Sequence, residues 1–373
     1  MPARSGASRR FTAIPVLSAI VLAAGCTPPA APSGPAWRQL PQPAGVQVVQ
    51  LATLGDAVVL GGYEPSAPVK PSLWRWSAAT GLVRIPVTAV SGYAPDALWT
   101  SLGSSGPRLL AIGGAPGGAH ANTRWTVWEG SVSGLVEQPQ SFDTFGGWGA
   151  GTLVGVAFAG AEPFIAGSWG SRSAGLDLAV WRLAGSRWRR ADATGTPLAS
   201  TATRLVQGVA VASAPDGAVV VGSTVRLRAG VDVRPAAWHA PSPRGPWTLV
   251  ELPLPPAVTQ ARAEAVVCAD TSCLILGRAA ERLVAWTLRA GRADIVADVP
   301  AIPLAVGVPT VAFAAGWAIA AATPSGAAVI RQTETGWATS PLPDGTPVAL
   351  IGMGTRLVVS LRQPASTTLW TSP

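Results

Sequence analysis

RLVQGVAVASAPDGAVVVGSTVRLRAGVDVRPAAWHAPSPRGPWTLVELP (204–253) spells four short apolar runs separated by turn residues. RLVQGVAV (204–211) passes through SAPDG into AVVVGS (218–223), a loop follows, then AAWH around Trp238, then the more polar PWTLVELP (246–253). Runs of this length, rich in β-branched and aromatic residues and bounded by Gly, Pro, Asp and Ser, read as strands. The same order recurs seven times. Its second run is AVVLGG (57–62), RLLAIGG (108–114), PFIAGS (163–168) and CLILGR (273–278) in other copies, and its third carries Trp74, Trp128, Trp181, Trp286 or Trp370. A unit of roughly 40–55 residues making four strands is the signature of a β-propeller blade. The expected fold is therefore all-β, a seven-bladed propeller.

Naming the strands a to d outward from the axis, first strands are expected at 46–51, 97–102, 152–158, 204–211, 263–268, 308–313 and 347–352. Outer strands are expected at 81–87, 134–139, 186–192, 246–253, 293–300 and 336–343. The C-terminal unit ends after Trp370 without an outer strand, and AWRQLP (36–41) has the character of one. The N-terminal strand is thus expected to complete the last blade, which would pair two otherwise open sheet edges. A repeat array shares one continuous core, so 36–373 reads as a single domain.

Sixteen tryptophans need a reason. Ten of them, at 37, 74, 128, 181, 188, 238, 247, 286, 337 and 370, fall at repeat-equivalent places on third and fourth strands. Each can bury roughly 200 Å² between sheets, so these ten read as packing.

The N-terminus carries a different message. Arg4, Arg9 and Arg10 precede an apolar stretch from Phe11 to Ala24 that is too short to span a bilayer comfortably, and LAAGC closes on Cys26. Here the chain resembles a bacterial lipoprotein, with Leu22 four rather than three residues before the cysteine. The resemblance implies a signal peptide over 1–25, a lipid on Cys26, a membrane anchor on the extracytoplasmic face, and a Pro-rich tether over 26–35. Loss of the three arginines would take the net charge from +8 to +5. That charge is almost all arginine, since Lys70 is the one lysine, and outside the cell it points to envelope polymers or compositional bias rather than nucleic acid. Cys268 and Cys273 lie on two runs joined by ADTS, so a hairpin would set the sulfurs opposite each other, and a disulfide is expected. A C-x₄-C metal or redox pair is the alternative.

Function is less legible. In a propeller the b–c and d–a connections share one face around the channel mouth, and they are expected to be long and irregular here while the a–b turns are tight. Candidate ligand or partner contacts on that face are Tyr93, Phe142, Phe145, Trp148, Trp169, Arg172, Arg226 and Arg228. SFDTFGGWG (141–149) sets three aromatics in a glycine-rich loop, suited to a sugar ring or a protein anchor, or else folded onto the propeller top. Arg226, Arg228 and Arg234 share one loop, with Arg172 expected nearby, and guanidinium forks suit carboxylate or phosphate.

SPRGPW (242–247), AGSRW (184–188) and TETGW (333–337), with the small residues after strand b, resemble the turns of sialidase-type or Asp-box propellers. None meets S-x-D-x-G-x-x-W. That family uses a tyrosine nucleophile beside a glutamate, and neither Tyr63 nor Tyr93 has such a setting, so no catalytic role passes to any position. His120 and His239 are the only histidines, no nucleophile elbow, zinc or P-loop motif occurs, and no cofactor or metal is expected. The leading reading is a monomeric, lipid-anchored binding propeller for an envelope protein or glycan. The alternatives are a glycan-acting hydrolase or lyase, with carboxylates converging on the channel mouth, and an assembly factor contacting partners along an outer strand.

Overall fold

The computed structural model describes residues 37–65, 69–117, 122–147, 149–228 and 230–372. The expected signal, Cys26 and the tether lie outside the described residues, as do His120 and Trp148.

Seven sheets form seven blades. Blade 1 is Gln47–Leu54, Ala57–Glu64, Lys70–Ser77 and Gly81–Arg84; blade 2 is Leu98–Ser105, Arg108–Ala115, Arg124–Ser131 and Gly134–Glu137. Blade 3 is Thr152–Ala159, Glu162–Gly170, Leu176–Ala184 and Arg187–Arg190; blade 4 is Arg204–Ala214, Gly217–Arg226, Asp232–Ala240 and Thr248–Glu251. Blade 5 is Ala261–Ala269, Ser272–Ala279, Arg282–Arg289 and Arg292–Ile295; blade 6 is Thr310–Phe313, Trp317–Thr323, Gly326–Thr333 and Gly336–Pro341. Blade 7 takes Thr346–Met353, Arg356–Arg362 and Thr367–Thr371 from the C-terminus and Arg38–Gln39 from the N-terminus. Each first strand neighbours the first strands of the blades before and after it, and blade 7 returns to blade 1, so the ring is closed.

The closure is made as the sequence implies. Arg38 pairs with Thr371 and Gln39 with Trp370. Beyond the strand, Leu40 N–H donates to Leu369 O at 2.9 Å, and the buried Thr367 hydroxyl accepts from Val48 N–H at 2.8 Å. Ser360 Oγ donates to Val48 O at 2.7 Å, so blade 7 is stitched to blade 1 as well as to the N-terminal strand.

The core is seven apolar clusters, one in each gap between adjacent blades. Trp128, Trp181, Trp238 and Trp286 are fully buried, each in the gap toward the preceding blade. A buried indole N–H needs an acceptor. Trp181, Trp238 and Trp286 donate to carbonyls of the segment entering their own blade, at Thr144, Pro197 and Pro253. Trp74, Trp128 and Trp370 donate instead to Ser72, Thr126 and Thr368 two residues earlier. Blade 6 has Ile330 at this position, and Trp317 from its second strand helps fill the gap.

A second regularity explains the small residues after strand b. Six of the first strands carry one extra residue where the pairing shifts, at Val49, Thr100, Val154, Val209, Glu264 and Val348. Such a bulge bends the strand against its neighbour. In blades 1, 3, 4 and 5 the carbonyl two residues before it lies 2.3, 2.5, 1.9 and 2.1 Å from where a Cβ would stand on Gly62, Gly167, Gly222 and Gly277. Gly113 of blade 2 is looser, at 3.2 Å from Leu98 O. Glycine is required here by the close approach of backbone, not by its dihedral range.

Several expectations need correction. The outer strands are shorter than their apolar runs. GLVRIPV ends as a strand at Arg84; Pro86 offers no N–H, its carbonyl accepts from Leu135 N–H, and Val87–Thr88 joins blade 2 as a parallel fifth strand. SFDTFGGWG contains one helical turn, Phe142–Phe145. The b–c connection of blade 5 is a two-residue turn, with Ala280 and Glu281 both at positive φ as a tight hairpin demands, and that of blade 6 is equally short. Cys268 and Cys273 face each other in register and are joined by a disulfide.

Candidate functional site

Strand polarity puts the b–c and d–a connections on one face and the a–b and c–d turns on the other. Exposed apolar side chains divide unequally between them. Among the described residues, eight of the eleven large exposed hydrophobics lie on the first face: Val90, Tyr93, Phe142, Leu176, Leu227, Val231, Val306 and Val308. The others are Val132 on a c–d turn, Val136 on an outer strand and Val209 on a first strand.

The loop bearing Val90 and Tyr93 is held by a buried carboxylate. Glu137 Oε2 accepts from Val90 N–H and Ser91 N–H, and Oε1 from Ser91 Oγ, all at 2.7 Å. Tyr93 and Phe142, predicted from different loops, line one small cavity of about 30 Å³ with Arg124. The Arg124 guanidinium lies 5.1 Å from the Phe142 ring centroid. Asp143 beside it is held below the usual carboxylate range, chiefly by the Ser141 hydroxyl, then by its own backbone N–H and by Arg187.

Phe145 and Trp169 do not present their rings. Each is 5 % exposed and packs on Trp181, with centroids 5.7 and 5.0 Å away. They belong to the gap between blades 2 and 3, and Phe145 also lines the small cavity shared by Tyr93 and Phe142.

Arg172 is exposed and does not share the cavity lined by Arg226 and Arg228. It lines a separate cavity of about 140 Å³ with Asp177, Arg190 and Asp192. Asp192 is held below the usual carboxylate range by Thr194 N–H and hydroxyl, with smaller help from Arg172 and Arg190.

Arg226 and Arg228 line a groove of about 620 Å³ over blade 4 with Arg204, Asp232 and Glu251. Arg226 pairs with Glu251, which raises its already high pKa, and Arg234 pairs with Asp232 at 2.9 Å. Arg204, overlooked in the sequence, comes here because its strand starts on this face beside the end of strand b.

Blade 5 holds a charge cluster that sequence reasoning also missed. Arg278 is buried, its Nη1 2.8 Å from Glu281 and its Nε 3.4 Å from Glu264, which Arg262 contacts at 2.7 Å. The signal was Glu264, which replaces a valine or threonine at the bulge; an arginine at the Arg278 place also occurs in blade 7, as Arg362, while blades 1 to 4 carry Tyr63, Gly114, Ser168 and Ser223 there. His239 lies on the other face, 3.1 Å from Asp216, beside the packing Trp238. Among the described residues no three His, Cys, Asp or Glu side chains gather to hold a metal.

No family model matches the sequence, and no curated protein does. Solved structures give the fold. The β-propeller domain of the trilobed protease from Pyrococcus furiosus, described as having an open velcro topology, is 9 % identical with a TM-score of 0.53, over 88 % of this chain and 95 % of that one. YCF48 bound to a D1 peptide is 11 % identical with a TM-score of 0.50, over 92 % and 97 %. The chain also spans 39 % of PorZ, a surface component of the type-IX secretion system of Porphyromonas gingivalis, at 12 % identity over 90 % of its own length; the TM-score is 0.47. At these identities the likeness establishes a β-propeller and nothing about activity.

Proposed function

We propose that the face carrying the b–c and d–a loops binds a protein partner, and that lipid on Cys26 holds the domain on the extracytoplasmic side of a bacterial membrane. The unequal distribution of exposed apolar side chains carries the first part. Apolar residues scattered singly over a surface need no reason, but their collection on one face of a ring does. The fastening of that face supports it too, because a loop fixed by Glu137 loses little freedom on binding. YCF48, of the same fold, is bound to a peptide, and we bring that mode of use to this chain.

The second part is supported by the LAAGC segment and by the Cys268–Cys273 bridge, which suits an oxidising compartment. A photo-crosslinking residue at Phe142, Leu227 or Val306 of the full-length protein in its native membrane is expected to capture a discrete protein. The same residue at Val132 or Asp270, on the opposite face, is expected to capture none. Equal capture from both faces, or none from either, refutes the binding face. Cys26→Ala is expected to abolish labelling by a fatty-acid probe and release the protein from membranes; retention with unchanged labelling refutes the anchor.

A further inference from the structure

We propose that the outer rim of blade 3, at the end away from the loops, rests on the phosphate headgroups of an anionic membrane surface. The proposal builds on the membrane placement above and adds an electrostatic contact that decides which face of the ring turns outward.

WRLAGSRWRR (181–190) carries four arginines in ten residues and no carboxylate. It folds into the third and outer strands of blade 3, and the pairing sets Arg182 directly opposite Arg189. Side chains two apart on a strand share a face, so Arg187 joins them. Trp181 and Trp188 fill the gap toward blade 2, which turns these three arginines toward blade 4. There they extend outward the row of Ala157 and Phe164, which lie in the core between blades 3 and 4. Arg187 and Arg189 are exposed and Arg182 is half-buried. Arg244, from the c–d turn of blade 4, reaches the same rim and pairs at 3.1 Å with Glu162, two residues before Phe164. Four guanidiniums thus stand beside one carboxylate, which is already paired.

Like charges set opposite each other across strands destabilise a sheet. The described residues contain four arginine pairs of this kind. Arg204–Arg226 has Glu251 beside it, Arg262–Arg278 has Glu264, and Arg289–Arg292 has Asp294 at 3.5 Å. Arg182–Arg189 has no such relief. Among the described residues no carboxylate lies within 4.0 Å of either, or of Arg187, and the undescribed residues include no Asp or Glu. Asp143 acts on Arg187 only from farther off. The anion that the other three pairs find within the chain comes to this one from outside it.

A headgroup layer fits this rim better than a protein does. None of the described large exposed hydrophobics lies on the outer strands or the turns of blades 3 and 4 at this end, whereas a protein interface has an apolar core. The edge of the outer strand is occupied too. Trp188 N–H donates to Gln140 Oε1 at 2.9 Å and Gln140 Nε2 donates to Ser186 O at 3.3 Å, so a partner strand finds no open ladder there. Guanidinium forks suit phosphate oxygens, and each basic residue held at an anionic surface raises partitioning about fivefold. Contact through this rim leaves the loop face pointing away from the membrane.

The test is sedimentation of the full-length protein with phosphatidylcholine vesicles that contain or lack phosphatidylglycerol. The parent is expected to prefer the anionic vesicles. Arg182→Gln, Arg187→Gln and Arg189→Gln combined are expected to lower that partitioning at least tenfold. Lys70→Gln, Arg282→Gln and Arg362→Gln combined remove the same charge from exposed side chains at the loop face, and are expected to change it by no more than about twofold. Arg189→Gln alone is expected to hold or raise the melting temperature, because it relieves the facing charge; a fall makes the pair structural and overturns the proposal. Equal binding to both vesicles, or equal losses in the two triple variants, also overturns it. Release by inorganic phosphate at constant ionic strength overturns it in favour of a free anion, and capture of a protein by a photo-crosslinking residue at Arg189 in favour of an acidic partner. Fatty-acid labelling of Cys26 without a vesicle preference sinks the rim contact and leaves the anchor standing; the preference without labelling supports the rim contact and sinks the anchor.

Discussion

Adding one methyl group to Gly222 tests the packing rule that shapes the blades. An alanine Cβ there would stand 1.9 Å from Gln207 O, 2.9 Å from Gln207 C and 3.0 Å from the Gly208 Cα. All three atoms are backbone, so no rotamer change relieves the contact. Reaching the 3.0 Å below which Cβ atoms essentially never come requires the paired strands to part by about 1 Å, in a pair that runs the length of blade 4. Overpacking of a well-filled interior costs typically 1–3 kcal/mol, and a contact this short against backbone belongs at or above the upper end, about 3 kcal/mol. With an unfolding entropy of about 2.1 cal/mol/K per residue over roughly 340 residues, that is a fall in melting temperature of about 4 °C.

The assay is thermal unfolding followed by circular dichroism on a graded series. Gly222→Ala, Gly277→Ala, Gly62→Ala and Gly167→Ala have first contacts of 1.9, 2.1, 2.3 and 2.5 Å, and Gly113→Ala has one of 3.2 Å. Gly316→Ala is the control, with nothing nearer than 3.7 Å. The four close positions are expected to lose several degrees, Gly113→Ala less, and Gly316→Ala to stay within about 0.5 kcal/mol of the parent. If Gly222→Ala melts with the parent, or if the losses ignore the ordering of the distances, the bulge is not what selects glycine.

Thr367→Val keeps the shape but strips the hydroxyl from Val48 N–H, leaving a buried donor at the seam; a loss of about 1–3 kcal/mol is expected in urea unfolding, with no loss refuting the stitch. Replacing both Cys268 and Cys273 with serine is expected to cost about 2 kcal/mol by the chain-entropy model, read from the same transition. Glu137→Ala should release the loop at Val90 and Ser91, seen as faster amide exchange there with strand amides of blade 2 unchanged; exchange at the parent rate would remove the carboxylate from its anchoring role.

How much of this was written legibly in the chain follows from what repeats. The third-strand tryptophans and the glycines after strand b recur because each gap and each bulge poses the same packing problem, and a repeated problem leaves a repeated letter. Trp370 and the AWRQLP segment could be joined across the whole chain for the same reason. Blade 6 lacks the third-strand tryptophan because Ile330 stands at that position and its core is completed from another strand by Trp317. Outer strands were drawn too long because apolar character continues past the last paired residue, as at Ile85, whose side chain is buried although its strand has ended. At the site the difficulty is different. Phe142 and Phe145 are three residues apart in one loop, yet a single helical turn points one to solvent and the other onto Trp181. Composition does not encode that choice. Nor does it bring Arg204 beside Arg228, which depends on two strands ending at one face.

The departures from the repeat then become the informative positions. A carboxylate and a guanidinium taken out of water cost several kcal/mol each, and their attraction repays this only with good geometry, so a buried pair is weak evidence for stability. Glu264 occupies a place filled by Val49, Thr100, Val154, Val209 and Val348 in the other bulged blades; at the Arg278 place blades 1 to 4 carry Tyr63, Gly114, Ser168 and Ser223, and blade 7 carries Arg362, which is exposed and makes no ion pair among the described residues. The scaffold needs no charge at either position. What the pair does in blade 5 is grip the carbonyls of Ala305 and Gly307 and hold Val306 out in solvent. A network that the ring does not require, and whose visible product is an apolar side chain displayed on the loop face, is what the proposed binding face would use.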